Sequence, residues 1–404
     1  MYTTLKSIKM ISGGDITVKS TQDGIQAEYI LNIAGGTFDV TTNGGSPASV
    51  TASGDGNSLA DPGYSCKGLK AANLIYVTGG DITLNTYDDA VHTNNTVQLL
   101  GGTFDIQAGD DGVHGDSYLI VNNTADINIT KCYEGLEAAK VYMNGGSSNI
   151  YATDDGINAA GTQPTGNALD LGSDFTLSSY SLAANQPPSG DGGSTGFGNN
   201  PASTSSYGYL EINGGYIYVN NAQGDGIDAN GSMVINGGVS IVDGATLQSE
   251  DGLDFDSGVT FNGGYVLTMT AGGMDSVSGS FSQKYLLYGF TSNGQGGFSG
   301  GKGGQQPGSG STGSSLAAGN YCIVDSDGNV LCAFSRTKSS IQRVLFSSPA
   351  VSTSKTYYIK PLTVSGATAT DSLYGTIDSS TYAFTLSSGC SVNNSGTSYT
   401  MTAN

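Results

Sequence analysis

The strongest constraint on this chain is a phrase that recurs about every 22 residues through its first two thirds. Its first half is a Gly-Gly pair flanked by alternating apolar residues, at Gly13-Gly14, Gly35-Gly36, Gly79-Gly80, Gly101-Gly102, Gly145-Gly146, Gly214-Gly215, Gly237-Gly238 and Gly263-Gly264. Its second half is an acidic step followed by Gly and an aliphatic residue: Asp23-Gly24-Ile25, Asp111-Gly112-Val113, Glu134-Gly135-Leu136, Asp155-Gly156-Ile157, Asp225-Gly226-Ile227 and Asp251-Gly252-Leu253, with Asp89-Ala90-Val91 as a close variant. Lys67-Gly68-Leu69 puts the opposite charge in the same slot. Around each pair the apolar residues stand two apart, as in Leu31, Ile33, Phe38 and Val40, which is the strand period. One such coil cannot bury its own apolar face. Coils stacked about 4.8 Å apart continue each row of Ile, Val, Leu and Phe through a shared interior. The pattern therefore predicts an all-β chain whose main body is a parallel β-helix of about nine coils.

Residues 1–289 are assigned to this β-helix, with loop insertions at 43–65 and 160–208. Both insertions are rich in Gly, Ser, Asn and Pro, and the phase resumes after each, so they read as loops projecting from the coils. The Gly/Ser/Gln tract at 290–316 is expected to be a flexible linker. From 317 to 404 the pattern becomes plain alternation with turn signals. Tyr321 to Val324, an Asp327-Gly328 turn, Val330 to Phe334, Arg343 to Phe346 and Tyr357 to Lys360 predict a small antiparallel β module able to cover the exposed edge of the last coil.

With 34 acidic and 14 basic residues, the net charge of −20 makes nucleic acid and anionic membrane poor partners unless a cation intervenes. No apolar run is long enough to span a bilayer, and no basic-then-apolar leader opens the chain, which starts on Met1-Tyr2-Thr3-Thr4-Leu5 close to the first coil. An extracellular or bacterial cell-surface protein whose export signal has been removed is expected, acting as a monomer. Five cysteines cannot all pair within one chain. Cys322 and Cys332 flank the Asp-Gly hairpin and meet in one register but face opposite sides in the other. The others read as free thiols, and no Cys/His spacing suggests zinc.

Stacking in register turns equivalent positions into ladders. One is acidic: Asp88-Asp89, Asp110-Asp111, Glu134, Asp154-Asp155 and Glu250-Asp251. The residue after each aliphatic one forms an outward row of Lys70, His92, His114, Glu137, Asn158, Asp228 and Asp254. Carboxylates about 5 Å apart repel unless a cation lies among them. Calcium suits such a site because it takes six to eight oxygen ligands in flexible geometry. The candidate cages are Asp88 and Asp89 with Asp110 and Asp111, and Asp154 and Asp155 with Glu134 or Glu137. The competing role for any one of these Asp side chains is to cap corner amides. His92 and His114 either contact ligand, titrate near neutrality or hydrogen-bond along the ladder.

The series Cys66-Lys67-Gly68-Leu69-Lys70-Ala71, Asp88-Asp89-Ala90-Val91-His92, Asp110-Asp111-Gly112-Val113-His114, Tyr133-Glu134-Gly135-Leu136-Glu137-Ala138, Asp154-Asp155-Gly156-Ile157-Asn158 and Gly224-Asp225-Gly226-Ile227-Asp228 resembles the clostridial-type bacterial carbohydrate-binding β-helix family over roughly residues 5–280. That family is similar in fold to the calcium-dependent pectate lyases of the right-handed parallel β-helix class. The resemblance implies an extracellular calcium-binding protein that attaches to plant cell-wall polysaccharide, pectic and cellulosic polymers included, without cleaving it. Cys66 and Cys132 depart from the Ser-like residues expected at their positions.

Three functional classes follow. In a carbohydrate-binding module, the absence of Trp leaves stacking to Tyr, with Tyr133 a candidate beside Lys67, Lys70, His92, His114 and Glu137. Calcium would bridge the acidic protein to an acidic polymer. A calcium-dependent pectate-type lyase needs a cationic base of lowered pKa. Lys67 and Lys70 adjoin the ladder, but carboxylate neighbours hold a cation charged, and ladder salt bridges are their alternative role. A surface fibre or adhesin would use the β-helix as a stalk.

Overall fold

A computed structural model describes residues 8–51, 56–164, 207–273, 279–289 and 315–404. Every regular element among these is a β-strand, arranged as a parallel β-solenoid of about ten turns and a small antiparallel sheet. Most of the 160–208 insertion and nearly all of the 290–316 linker lie outside the described residues. The chain forms two compact units, Met1–Leu210 with Ala229–Gly231, and Glu211–Asp228 with Ser232–Asn404.

In the first unit each turn contributes to three parallel ladders. Ile30, Leu74, Thr96, Tyr118 and Lys140 share a register on the first. Thr37, Asp81, Thr103, Asp126 and Ser147 share one on the second. Ile25, Leu69, Val91, Val113, Leu136 and Ile157 align on the third. The inward side chains are stacked like with like: Leu31, Ile75, Val97, Leu119 and Val141 form one buried row, and Val40, Leu84, Ile106, Ile129 and Ile150 another. Each row joins apolar strips too narrow to be stable alone, which is why the repeat and the fold are inseparable.

The Gly-Gly pairs make the corner between the first two ladders. The second Gly of every pair has positive φ, +116° at both Gly36 and Gly80, where a side chain would be strained. The Gly of the acidic phrase answers a different need: a Cβ on Gly135 would stand 2.2 Å from the Gly156 carbonyl oxygen of the next turn.

In the second unit, Tyr216–Asn220 pairs in parallel with Val239–Asp243, which pairs in turn with Tyr265–Met269. Arg343–Ser347 then runs antiparallel beside Tyr265–Thr270 and Tyr285–Tyr288, so an antiparallel strand closes an edge that would otherwise template further pairing. Gly319–Asp325 pairs antiparallel with Val330–Arg336 and with Tyr357–Val364. Cys322 lies opposite Ala333 and Ile323 opposite Cys332, which places the two cysteines on opposite faces of the sheet. They are free thiols, as are the other three. Arg336 is wholly buried against the turns of this unit. Its guanidinium meets Asp243 at 2.5 Å and donates to the carbonyls of Gly244, Met269 and Ala245.

Candidate functional site

Two adjacent rows of polar residues follow from the register of the first unit. Bonds between turns fix the first row: Gly24 N donates to Lys67 O at 2.8 Å, Gly68 N to Asp89 O at 3.0 Å, Ala90 N to Asp111 O at 2.9 Å, Gly112 N to Glu134 O at 2.9 Å and Gly135 N to Asp155 O at 3.0 Å. Strand pairing fixes the second as Gln26, Lys70, His92, His114, Glu137 and Asn158. The aliphatic residue preceding each member is buried, so these side chains project from the other face of the strand.

The rows mesh into three clusters. In the first, Lys67 Nζ lies 3.0 Å from Asp88 Oδ1 and 2.5 Å from Asp89 Oδ2, and Asp88, Asp89 and Asp110 bring carboxylate oxygens within 4.8 Å of one another. In the second, His92 Nδ1 is 2.8 Å from Asp89 Oδ2, close enough for an ion pair but off the line of a hydrogen bond. The His92 and His114 rings meet edge to face with centroids 5.0 Å apart. In the third, His114 Nδ1 lies 3.1 Å from Asp111 Oδ2 and 3.2 Å from Glu137 Oε2, with Nε2 3.5 Å from Asp116 Oδ1. Lys70 sits apart from these, 3.1 Å from Asp23 Oδ2 and 3.0 Å from Ser65 Oγ. Asp154, Asp155 and Glu134 do not join a three-donor group among the described residues. Glu134 accepts from Asn158 Nδ2 at 2.9 Å, and the Tyr133 hydroxyl bonds Asp154.

Charge balance differs along the strip. Burial would raise the pKa of Asp89, but Lys67 and then His92 hold it well below the usual carboxylate range. Burial acts to lower Lys67, yet Asp89 and Asp88 outweigh it and keep the ammonium charged. Further along, negative charge is in excess. Burial and then Asp111 push Asp110 well up, burial and then Glu137 do the same to Asp111, and burial and then Glu137 raise Glu134. Glu137 is raised by burial even though His114 pulls it down. His114 itself is held well above the ordinary imidazole range, burial being overcome by Glu137 and Asp111, whereas burial and Lys67 lower His92.

Calcium is the group the family resemblance implies, and the donor chemistry of the Asp88, Asp89 and Asp110 cluster fits it, being all oxygen. The same carboxylates also cap amides: Asp88 Oδ2 accepts from Cys66 N at 3.3 Å, and Asp89 Oδ1 from Asp111 N at 3.2 Å. Ser46 and Asn57, from the 43–65 insertion, reach over this corner. Asn57 Nδ2 donates to Asp110 Oδ1 at 2.5 Å, Ser46 Oγ to Ala108 O at 2.8 Å, and Lys131 Nζ to Ser46 O at 3.4 Å. Asn57 and Asp116 are absent from the sequence-based reading because neither belongs to the repeated phrase. A second all-oxygen group, Asp225, Asp228 and Asp254, lies in the second unit, and its signal was the acidic residue after the aliphatic one in two successive phrases. Tyr133 is only 5 % exposed and offers no open ring face, while Tyr64 and Tyr151 are exposed.

Residues 3–112 match a family model described as "Carbohydrate-binding domain-containing protein". No curated protein and no solved structure matches the chain. The match supports carbohydrate binding with a polysaccharide partner and is consistent with a protein that is not an enzyme.

Proposed function

We propose that this is an extracellular protein that attaches to acidic plant cell-wall polysaccharide through calcium held on the ladder of the first unit. The observation that carries this reading is an overlap: the residues matched by the carbohydrate-binding family include Lys67, Lys70, Asp88, Asp89, His92, Asp110 and Asp111, which form one end of the polar strip. Asp88, Asp89 and Asp110 would supply part of a calcium shell, and uronate carboxylates the rest, since calcium accepts six to eight oxygens. Turns about 4.8 Å apart give a linear polymer a repeating row of contacts. Lys67 competes with calcium for the same oxygens, so calcium affinity belongs at the weak, extracellular end of the range, about 10⁻⁴ to 10⁻³ M.

Cleavage is disfavoured at this site because a Lys held charged by two carboxylates cannot take a proton from the sugar. The test is retention on insoluble polygalacturonate and on cellulose, in calcium and in chelator, while the ultraviolet absorbance of unsaturated uronate products is followed. Calcium-dependent retention on polygalacturonate with flat absorbance is the expected result. Growing absorbance would make the protein a lyase, and no retention on either polymer would leave a surface fibre or adhesin.

A further inference from the structure

We infer that His114 Nδ1, Asp111 Oδ2 and Glu137 Oε2 form a binding site for a divalent transition ion of the zinc class, distinct from the all-oxygen calcium cluster and independent of polysaccharide binding. The three residues come from two successive turns, and their donor atoms lie within 4.8 Å of one another. The separations from His114 Nδ1 to the two carboxylates are 3.1 and 3.2 Å. Two ligands held about 2.1 Å from one ion at angles between octahedral and tetrahedral are spaced by about that much. An imidazole nitrogen with two carboxylates is a donor set that zinc, nickel or cobalt accepts and calcium does not favour.

The arrangement of the cluster also points to an ion. Asp111 Oδ2 and Glu137 Oε2 converge on the one nitrogen His114 Nδ1, which has at most one proton to share between them. The neighbouring His92 Nδ1 is closed off from solvent and faces Asp89 Oδ2 at 2.8 Å, while the two imidazole rings are in contact. His92 thus brings a second imidazole nitrogen within 4.8 Å of a His114 nitrogen.

The test uses the full chain without an affinity tag, stripped with chelator and titrated calorimetrically with zinc chloride in millimolar calcium. The expected result is one tight equivalent of zinc per chain at this site, weakened by about tenfold or more in both His114→Ala and Glu137→Gln. Cobalt in place of zinc should give visible absorption bands that His114→Ala loses. Thermal melts of the metal-free variants establish that they fold. Should His114→Ala fail that check, Glu137→Gln decides alone. No zinc uptake in calcium, or uptake unchanged in the folded variants, would overturn the assignment.

Discussion

Single side chains in the polar strip answer to charge balance more than to shape. Glu134 is the clearest case, because burial and the nearby Glu137 carboxylate raise its pKa in the folded protein, so its ionised form is disfavoured there. A raised carboxylate contributes stability only while protonated and loses it as pH rises through the folded-state value. Glu134→Gln should therefore stabilise the chelator-treated protein at pH 7 by about 1 kcal/mol, the amide oxygen still accepting from Asn158. A lower unfolding midpoint would show that the negative charge is already compensated. Lys67 has the opposite character. Its removal strands Asp88 and Asp89, whose side chains are 8 % and 3 % exposed. Lys67→Ala should cost about 3 kcal/mol in chelator. Because it frees the oxygens of the proposed calcium cluster, it should also tighten calcium binding in the same titration, and weaker calcium binding would remove Lys67 as a competitor.

At the scale of elements, the hairpin between Gly319–Asp325 and Val330–Arg336 depends on one carboxylate. Asp325 accepts from the backbone N–H of Asp327 at 3.0 Å and of Asn329 at 2.8 Å, and from Lys355 Nζ at 2.6 Å. Burial opposes its ionisation, but Asn329 and Lys355 outweigh that and hold its pKa down to about 2. A depressed carboxylate stabilises the fold above its unfolded value and loses that contribution as pH falls through the folded one. The antiparallel sheet should thus weaken between about pH 4 and pH 2, a step that Asp325→Ala removes from the pH dependence of unfolding. An unchanged profile in the variant would contradict this. The Asp-Gly turn was legible from sequence, but the register across it was not. A bulge between Ile323 and Val324 decides which residues face each other, and with that the separation of Cys322 from Cys332.

Across the whole molecule, the parts legible in sequence were those the repeat enforces. Like residues on successive turns had to stack, so the interior rows, the spacing of the Gly-Gly pairs and the row Lys70, His92, His114, Glu137 could be read directly. What escaped was the meshing of rows across turns. Lys67 grips the carboxylates of the following phrase, and Asn57 reaches Asp110 from an insertion with no periodicity of its own. Sequence spacing ranks Asp154, Asp155 and Glu134 equal to the other cage, whereas Tyr133 and Asn158 engage two of those three carboxylates. The Asp88, Asp89 and Asp110 cluster is proposed to couple calcium to an acidic polymer. Calorimetric binding of a defined oligogalacturonate to wild type and to Asp88→Asn/Asp110→Asn, in calcium and in chelator, tests this coupling. Wild type should bind only in calcium, with affinity lower by about tenfold or more in the variant. Equal affinity of the two proteins in calcium, or binding that persists in chelator, would contradict it.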